Sequence, residues 1–161
     1  MNRSLARRLG AALLVSLAML PILPQLSALV PAFEPVERIA STWLGLHCHR
    51  DPARTPAWLG VPLAACARCS GIYFGLGLGA LLRRPQRTGS RARLWLLGAA
   101  ALMLLDIALE QYAGVMFGGA WRRMLTGMLL GFPAGALFAS AVLIETRAPA
   151  SHSPYTTPSD G

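Results

Sequence analysis

Three short stretches carry the side chains able to do chemistry. LHCHR (46–50) holds His47, Cys48 and His49, CARC (66–69) holds Cys66, Arg68 and Cys69, and the apolar run LWLLGAAALMLLDIALEQY (94–112) holds Asp106 and Glu110. Cys66 and Cys69 stand three apart and so share one face of a helix. Two thiols at that spacing make either a redox dithiol or two ligands of a metal ion. Cys48 with His49 or His47 would complete a tetrahedral Cys3His set for zinc, or a soft site for copper. The metal set read from the sequence is Cys48, His49, Cys66 and Cys69. On an oxidising face the same thiols are able to form a disulfide, Cys48 with Cys66 or Cys69, leaving one thiol over. A third reading makes them small apolar packing residues. The residues alone leave all three open.

These side chains have to be positioned by unusually apolar elements. The chain has 161 residues, 54% of them hydrophobic and 14% charged, which is too apolar for an ordinary soluble domain. Its net charge of +8 comes from arginine, with no lysine at all. The arginines flank apolar runs instead of covering a polar domain, which points away from nucleic acid and toward a membrane protein. Four runs approach the roughly 20 residues that cross a hydrocarbon core. They lie at about 10–30, 63–82, 94–112 and 124–144. The expected fold is all-α: a four-helix transmembrane bundle in an integral membrane domain over 1–147, with the Pro/Ser/Thr-rich stretch 148–161 as a disordered cytoplasmic tail. The first run, preceded by Arg3, Arg7 and Arg8, also looks like a signal peptide, but it is longer than the usual signal core and is expected to be retained.

Arginine counting sets the orientation. Nine arginines (3, 7, 8, 83, 84, 87, 91, 93, 147) fall on one side of this scheme and five (38, 50, 54, 122, 123) on the other. The excess places both termini and the 83–93 connector in the cytoplasm, in a multi-pass protein. The loop holding His47, Cys48 and His49 then lies outside. Within that loop, Val36, Ile39, Ala40, Trp43 and Leu44 form the apolar side of a short amphipathic helix. Trp43, Trp58 and Trp121 fall at the outer interface and Trp95 at the inner one, as headgroup anchors.

Arg68 is expensive at membrane depth unless it snorkels out or meets an acid. From Cys69 to Leu82 there are 14 uncharged residues, which as a helix span about 21 Å. Asp106 and Glu110 share a face of the third run, at the matching height. Arg122 or Arg123 is the nearest further cation. Asp106, Glu110, Arg68 and Arg123 are therefore the candidate catalytic or ligand-binding residues, with locking of the bundle as the plainer role. Gly71, Gly75 and Gly79 make a ridge of small residues, and Gly127, Gly131 and Gly135 a matching one, so the second and fourth helices are expected to pack closely.

HCHR (47–50), CARCSGIYFG (66–75), Asp106 and RMLTGMLLG (123–131) together resemble a prokaryotic membrane-protein family catalogued as domain of unknown function 2085. The resemblance runs from about Leu46 to Gly131. Family members often have Gly after the Asp of the third helix and Gln four positions beyond that Asp, where this chain has Ile107 and Glu110. The resemblance implies a small integral protein of a prokaryotic cell membrane and brings no reaction, substrate or cofactor with it. Three functions follow as expectations: a metal (zinc or copper) or thiol redox site at the outer face, an enzyme or binding protein for an anionic lipid headgroup, and a small transporter or accessory subunit. The bilayer is the expected partner, together with a second copy of the chain or a larger membrane complex.

Overall fold

The computed structural model describes residues 3–82, 90–113 and 119–145. Leucine and alanine, both strong helix formers, carry α1 over Arg3–Met19. Pro21 cannot donate a backbone hydrogen bond, and the chain tightens into a 3-10 turn at Leu20–Ile22 before α2 resumes at Leu23–Leu29. Pro24 falls in the first turn of α2, where a missing N–H costs nothing. A second 3-10 turn, Pro31–Phe33, leads into α3, Glu34–Gly45. Glu34 and Glu37 sit in the first turn of α3, the favourable end of its dipole for acids. Ala40 and Leu44, four apart, are its buried face, while Ile39 on the other side is 73% exposed.

Beyond α3 the chain turns sharply. Arg50 takes a positive φ of 47°, and Asp51 caps the 3-10 turn Pro52–Arg54 by accepting from the Ala53 N–H at 3.0 Å. Strands β1 (Ala57–Trp58) and β2 (Val61–Pro62) then pair antiparallel, Trp58 opposite Val61. Leu59 and Gly60 link them with φ of 54° and 77°, the left-handed pair that a two-residue hairpin turn requires. Glycine takes that conformation freely, whereas leucine does so at a steric cost.

Three longer helices complete the molecule: α4 (Ala67–Leu82), α5 (Ser90–Ala113) and α6 (Gly119–Glu145). The core of the fold is α4 against α6. A β-carbon at Gly71, Gly75 or Gly79 would overlap the carbonyl oxygen of Met124, Met128 or Phe132, and one at Gly127, Gly131 or Gly135 would overlap that of Arg68, Ile72 or Leu76. Reciprocal glycine ridges thus bring the two backbones into direct contact, as small-residue ridges do in membranes. Gly77 admits Ala18 of α1 in the same way. By contrast α5 buries only 6% of its apolar span.

The expected four-helix transmembrane bundle is corrected in two respects. Taking α1 and α2 as one proline-broken rod, five helices are present among the described residues, with a small hairpin between α3 and α4. Of these, only Arg8–Leu29 and Arg93–Tyr112 are long and apolar enough to cross a membrane. The helix expected over 63–82 starts at Ala67, because Val61–Pro62 is drawn into the hairpin and Leu63–Cys66 runs outside any helix. Its 16 residues reach about 24 Å, short of a core of about 30 Å. α6 carries Arg122 and Arg123 in its first turns. The expected tail, 148–161, lies outside the described residues, as does most of the 83–93 connector.

Candidate functional site

The end of α3 and the start of α4 bring the three cysteines together. The N–H groups of His47 and Cys48 both donate to the Leu44 carbonyl, at 3.1 and 2.9 Å, so the chain leaves α3 tightly and turns Cys48 inward. The Arg50 guanidinium folds back beside Gly45, at the carbonyl end of α3, where a cation is favoured. The segment before α4 is clamped from the other side. Pro24 has no N–H to offer the Pro21 carbonyl three residues back, and that carbonyl accepts from the Ala64 N–H at 2.9 Å. Gln25 Nε2 donates to the Val61 carbonyl at 2.9 Å. The proline break in the first helical rod is therefore part of what holds CARC in place.

Cys48 is buried, and Cys66 and Cys69 are half-buried. The three sulfurs lie 3.4–3.9 Å apart, each near both of the others. A disulfide bond is about 2.05 Å long, so the expectation of a disulfide is corrected: all three thiols are free. Leu44, Ala64 and Ala65 wall the cluster, with Leu20 and Tyr73 packed against it. Cys66 stands immediately before α4 and its sulfur is pushed down to about 5, first by the Cys69 thiol that donates to it, then by the backbone N–H of Cys69, the Cys48 thiol and the backbone N–H of Arg68, against opposition from burial. It acts as a sulfur N-cap, taking up donors that the first turn of a helix cannot satisfy internally. The Cys66 N–H in turn donates to Cys48 Sγ at 3.2 Å.

Neither histidine joins the cluster. His49 is exposed and stands outside the three-sulfur group. His47 is exposed, lies against Trp43 with ring centroids 5.0 Å apart, and places Nδ1 3.2 Å from the Trp43 carbonyl oxygen.

The second group is ionic. Arg68 Nη2 stands 2.7 Å from Asp106 Oδ2 and 2.7 Å from Glu110 Oε2. Arg123 grips Glu110 with two nitrogens, Nη2 at 2.6 Å from Oε1 and Nε at 3.2 Å from Oε2. Arg122 spans both acids, 3.0 Å from Asp106 and 3.8 Å from Glu110. All four sequence-derived candidates, Arg68, Asp106, Glu110 and Arg123, therefore meet in one cage that joins α4, α5 and α6. Arg122, expected only as an alternative to Arg123, is a full member. Its signal was its position beside Arg123 at the start of a helix facing an acid pair spaced four apart. Of the other members of the cysteine shell, Leu44 lay on the apolar side of the amphipathic helix and Tyr73 within CARCSGIYFG, whereas Ala64 had no sequence signal beyond its apolarity.

Apolar helices, a short glycine-welded pair and two clusters at the same end of α4 define a small helical membrane protein with a thiol centre. The chain belongs to the family described as predicted membrane protein (DUF2085), whose profile matches residues 48–137, from the first cysteine of the cluster to the middle of α6. No curated protein and no solved structure matches the chain.

Proposed function

We propose that this protein binds one soft metal ion at a membrane surface through Cys48, Cys66 and Cys69. The observation that carries the reading is the sulfur triangle of 3.4–3.9 Å. Thiolates around a tetrahedral ion at a metal–sulfur distance of about 2.3 Å stand roughly 3.8 Å apart. Zinc and copper(I) both accept such a set, being at home with thiolate ligands. His49, adjacent to Cys48, supplies a fourth ligand once its side chain swings inward, or an exogenous ligand takes that position. The arginine distribution along the chain favours the face opposite the 83–93 connector, the outer face, as the location of the site.

The test is elemental analysis of protein purified without chelator. About one equivalent of zinc or copper is expected, falling to background in the Cys66→Ser, Cys69→Ser double variant and partly retained in His49→Ala. A metal-free wild type that gains no ion on titration with zinc or copper(I) would end the proposal. A second reading is favoured by the position of Cys66 at the start of α4, which makes its sulfur the better nucleophile of the Cys66 and Cys69 pair. Alkylation of Cys66 well ahead of Cys69 in metal-free protein, located by mass spectrometry, would support that reading.

A further inference from the structure

Behind the hairpin of β1 and β2 is a cavity of about 370 Å³, walled by Ile22 at the proline break, Trp58, Leu63, Phe74 of α4, and Trp121 and Met124 of α6. Hydrogen bonds fix the hairpin side of it. The Leu63 N–H donates to the Pro56 carbonyl at 3.0 Å, Gln25 Nε2 to the Val61 carbonyl at 2.9 Å, and the Ala64 N–H to the Pro21 carbonyl at 2.9 Å. On the helix side, Gly71 sets α4 directly against the Met124 carbonyl of α6. The cavity is therefore formed by tied walls, and its volume is in the range of a small-ligand site.

Exposure gives the cavity a direction. Leu63 is 8% exposed, whereas Trp58 and Trp121 are 60% and 72% exposed, so Leu63 lies at the bottom and the two indoles stand at the mouth. No charged side chain is among the described residues that line it, and apart from the indole N–H groups none offers a strong hydrogen bond. A polar ligand would leave its own groups unpaired there, at a cost that an apolar one does not incur. The thiol cluster is a separate chamber beyond the same wall. Leu20 and Tyr73 pack against the cysteines, while their near neighbours Ile22 and Phe74 face the cavity.

We propose that this cavity takes up part of one acyl chain of a bilayer phospholipid. Amphipathic rings such as those of Trp58 and Trp121 favour headgroup depth, which puts the mouth where acyl chains begin. Leu59, at the hairpin tip beside Trp58, is 72% exposed in a left-handed conformation that is costly for leucine. Hydrocarbon, and not water, is the surrounding that such a tip suits. The 16 residues of α4 reach only about 24 Å, so a hydrocarbon core of about 30 Å extends past the helix unless the bilayer thins. An acyl chain housed beside the start of α4 fills the place where that helix is too short to cover the bilayer's apolar depth.

The experiment is native mass spectrometry of the full chain released from micelles that contain equal amounts of a diacyl phosphatidylcholine and the free fatty acid of the same chain, with helix content checked for every variant. Wild type is expected to retain one phosphatidylcholine. Ala120 and Ala57 line the cavity with room beside them, and Ala120→Phe or Ala57→Phe, each filling it from a different wall, should retain at least about ten-fold less, the effect of excluding roughly two methylene groups. Ala101→Phe, on the exposed side of α5, adds the same ring outside the cavity and should retain as much as wild type. Wild-type retention in both filled variants would overturn the proposal, as would an equal loss in Ala101→Phe, because lipid would then be held on the outer surface of the helices and not in the cavity. Retention of the fatty acid in place of the phospholipid, or of detergent alone, would overturn the bilayer lipid as its source.

Discussion

The thiol cluster and the arginine cage leave the same helical turn in different directions. Arg68 and Cys69, adjacent in α4, point about 100° apart around the helix, and Cys66 precedes the helix, so the sulfurs turn toward the end of α3 while Arg68 reaches across to α5. The two regions solve burial differently. The sulfurs are compensated by backbone N–H groups and by one another, all from chain segments that lie close together, and the set remains ready to take a cation. The cage is compensated by ion pairs spanning 38 and 42 residues of sequence. One turn of α4 thereby keeps the sulfur cluster and the ion-pair cage apart.

The largest break in that comparison should come from Glu110→Gln. Glu110 accepts from Arg68 and Arg123 together, and removing its charge strands two arginines. Breaking a buried pair from one side costs about 3–5 kcal/mol. Because α5 buries so little apolar surface in the chain, the loss should appear as release of α5, read by denaturant titration in micelles and by proteolysis of the α5–α6 connection. Cysteine alkylation in the same variant should be unchanged. Stability within about 0.5 kcal/mol of wild type, the range of an inconsequential surface change, would show that the cage does not tether α5.

A smaller effect is expected where both regions share a support. Gly131→Ala places a methyl group against the Ile72 backbone, which cannot swing aside as a side chain would. Forcing extra volume into such a contact costs about 1–3 kcal/mol, and it should disturb both the sulfur cluster and the ion-pair cage, since both depend on the position of α4. Gly98→Ala on α5 meets nothing within 4 Å and should stabilise the helix by up to about 1 kcal/mol. Equal melting shifts of the same sign in the two variants would contradict the backbone contact between α4 and α6.

Much of this arrangement was legible because it rests on patterns one helix imposes on its own sequence. Glycines every four residues foretold the α4–α6 weld, and acids four apart at the height of Arg68 foretold the cage. The rest depends on segments with no periodicity. The hairpin at Trp58–Val61 carries a glycine signal at Gly60 but none at Leu59, which adopts the left-handed conformation without being a residue that favours it. That hairpin is what shortens the helix expected from Leu63, and with it goes one of the expected spans. The state of the thiols was illegible for a different reason: CxxC with a distant third cysteine has the same spacing for a disulfide, a metal site or simple packing, and the sulfur separations are what set the disulfide aside. His49 was a candidate by adjacency to Cys48, and adjacency says nothing about the side a residue faces once the chain has turned at Arg50.

The narrowest change in structure, and the sharpest test of the proposed metal site, concerns proton balance at Cys66. In metal-free protein its sulfur ionises at about 5 because Cys69 and the start of α4 donate to it. Thiolate is the species that reacts with iodoacetamide, so the alkylation rate of Cys66 should rise through a midpoint near pH 5 and be level by pH 7. Cys69→Ala removes the principal donor, and the midpoint should move back up toward the ordinary thiol value, slowing the reaction at pH 6. The sign for stability follows from the same depression. A folded-state value below the ordinary 9.0 means that the contribution of this thiolate is fully present above pH 9 and is lost as pH falls toward 5. The metal-free protein should therefore weaken between those limits, and Cys69→Ala should flatten the slope. An unchanged alkylation profile in Cys69→Ala would mean that the start of α4 alone activates Cys66, and that the sulfur triangle is packing instead of a ligand set held ready for an ion.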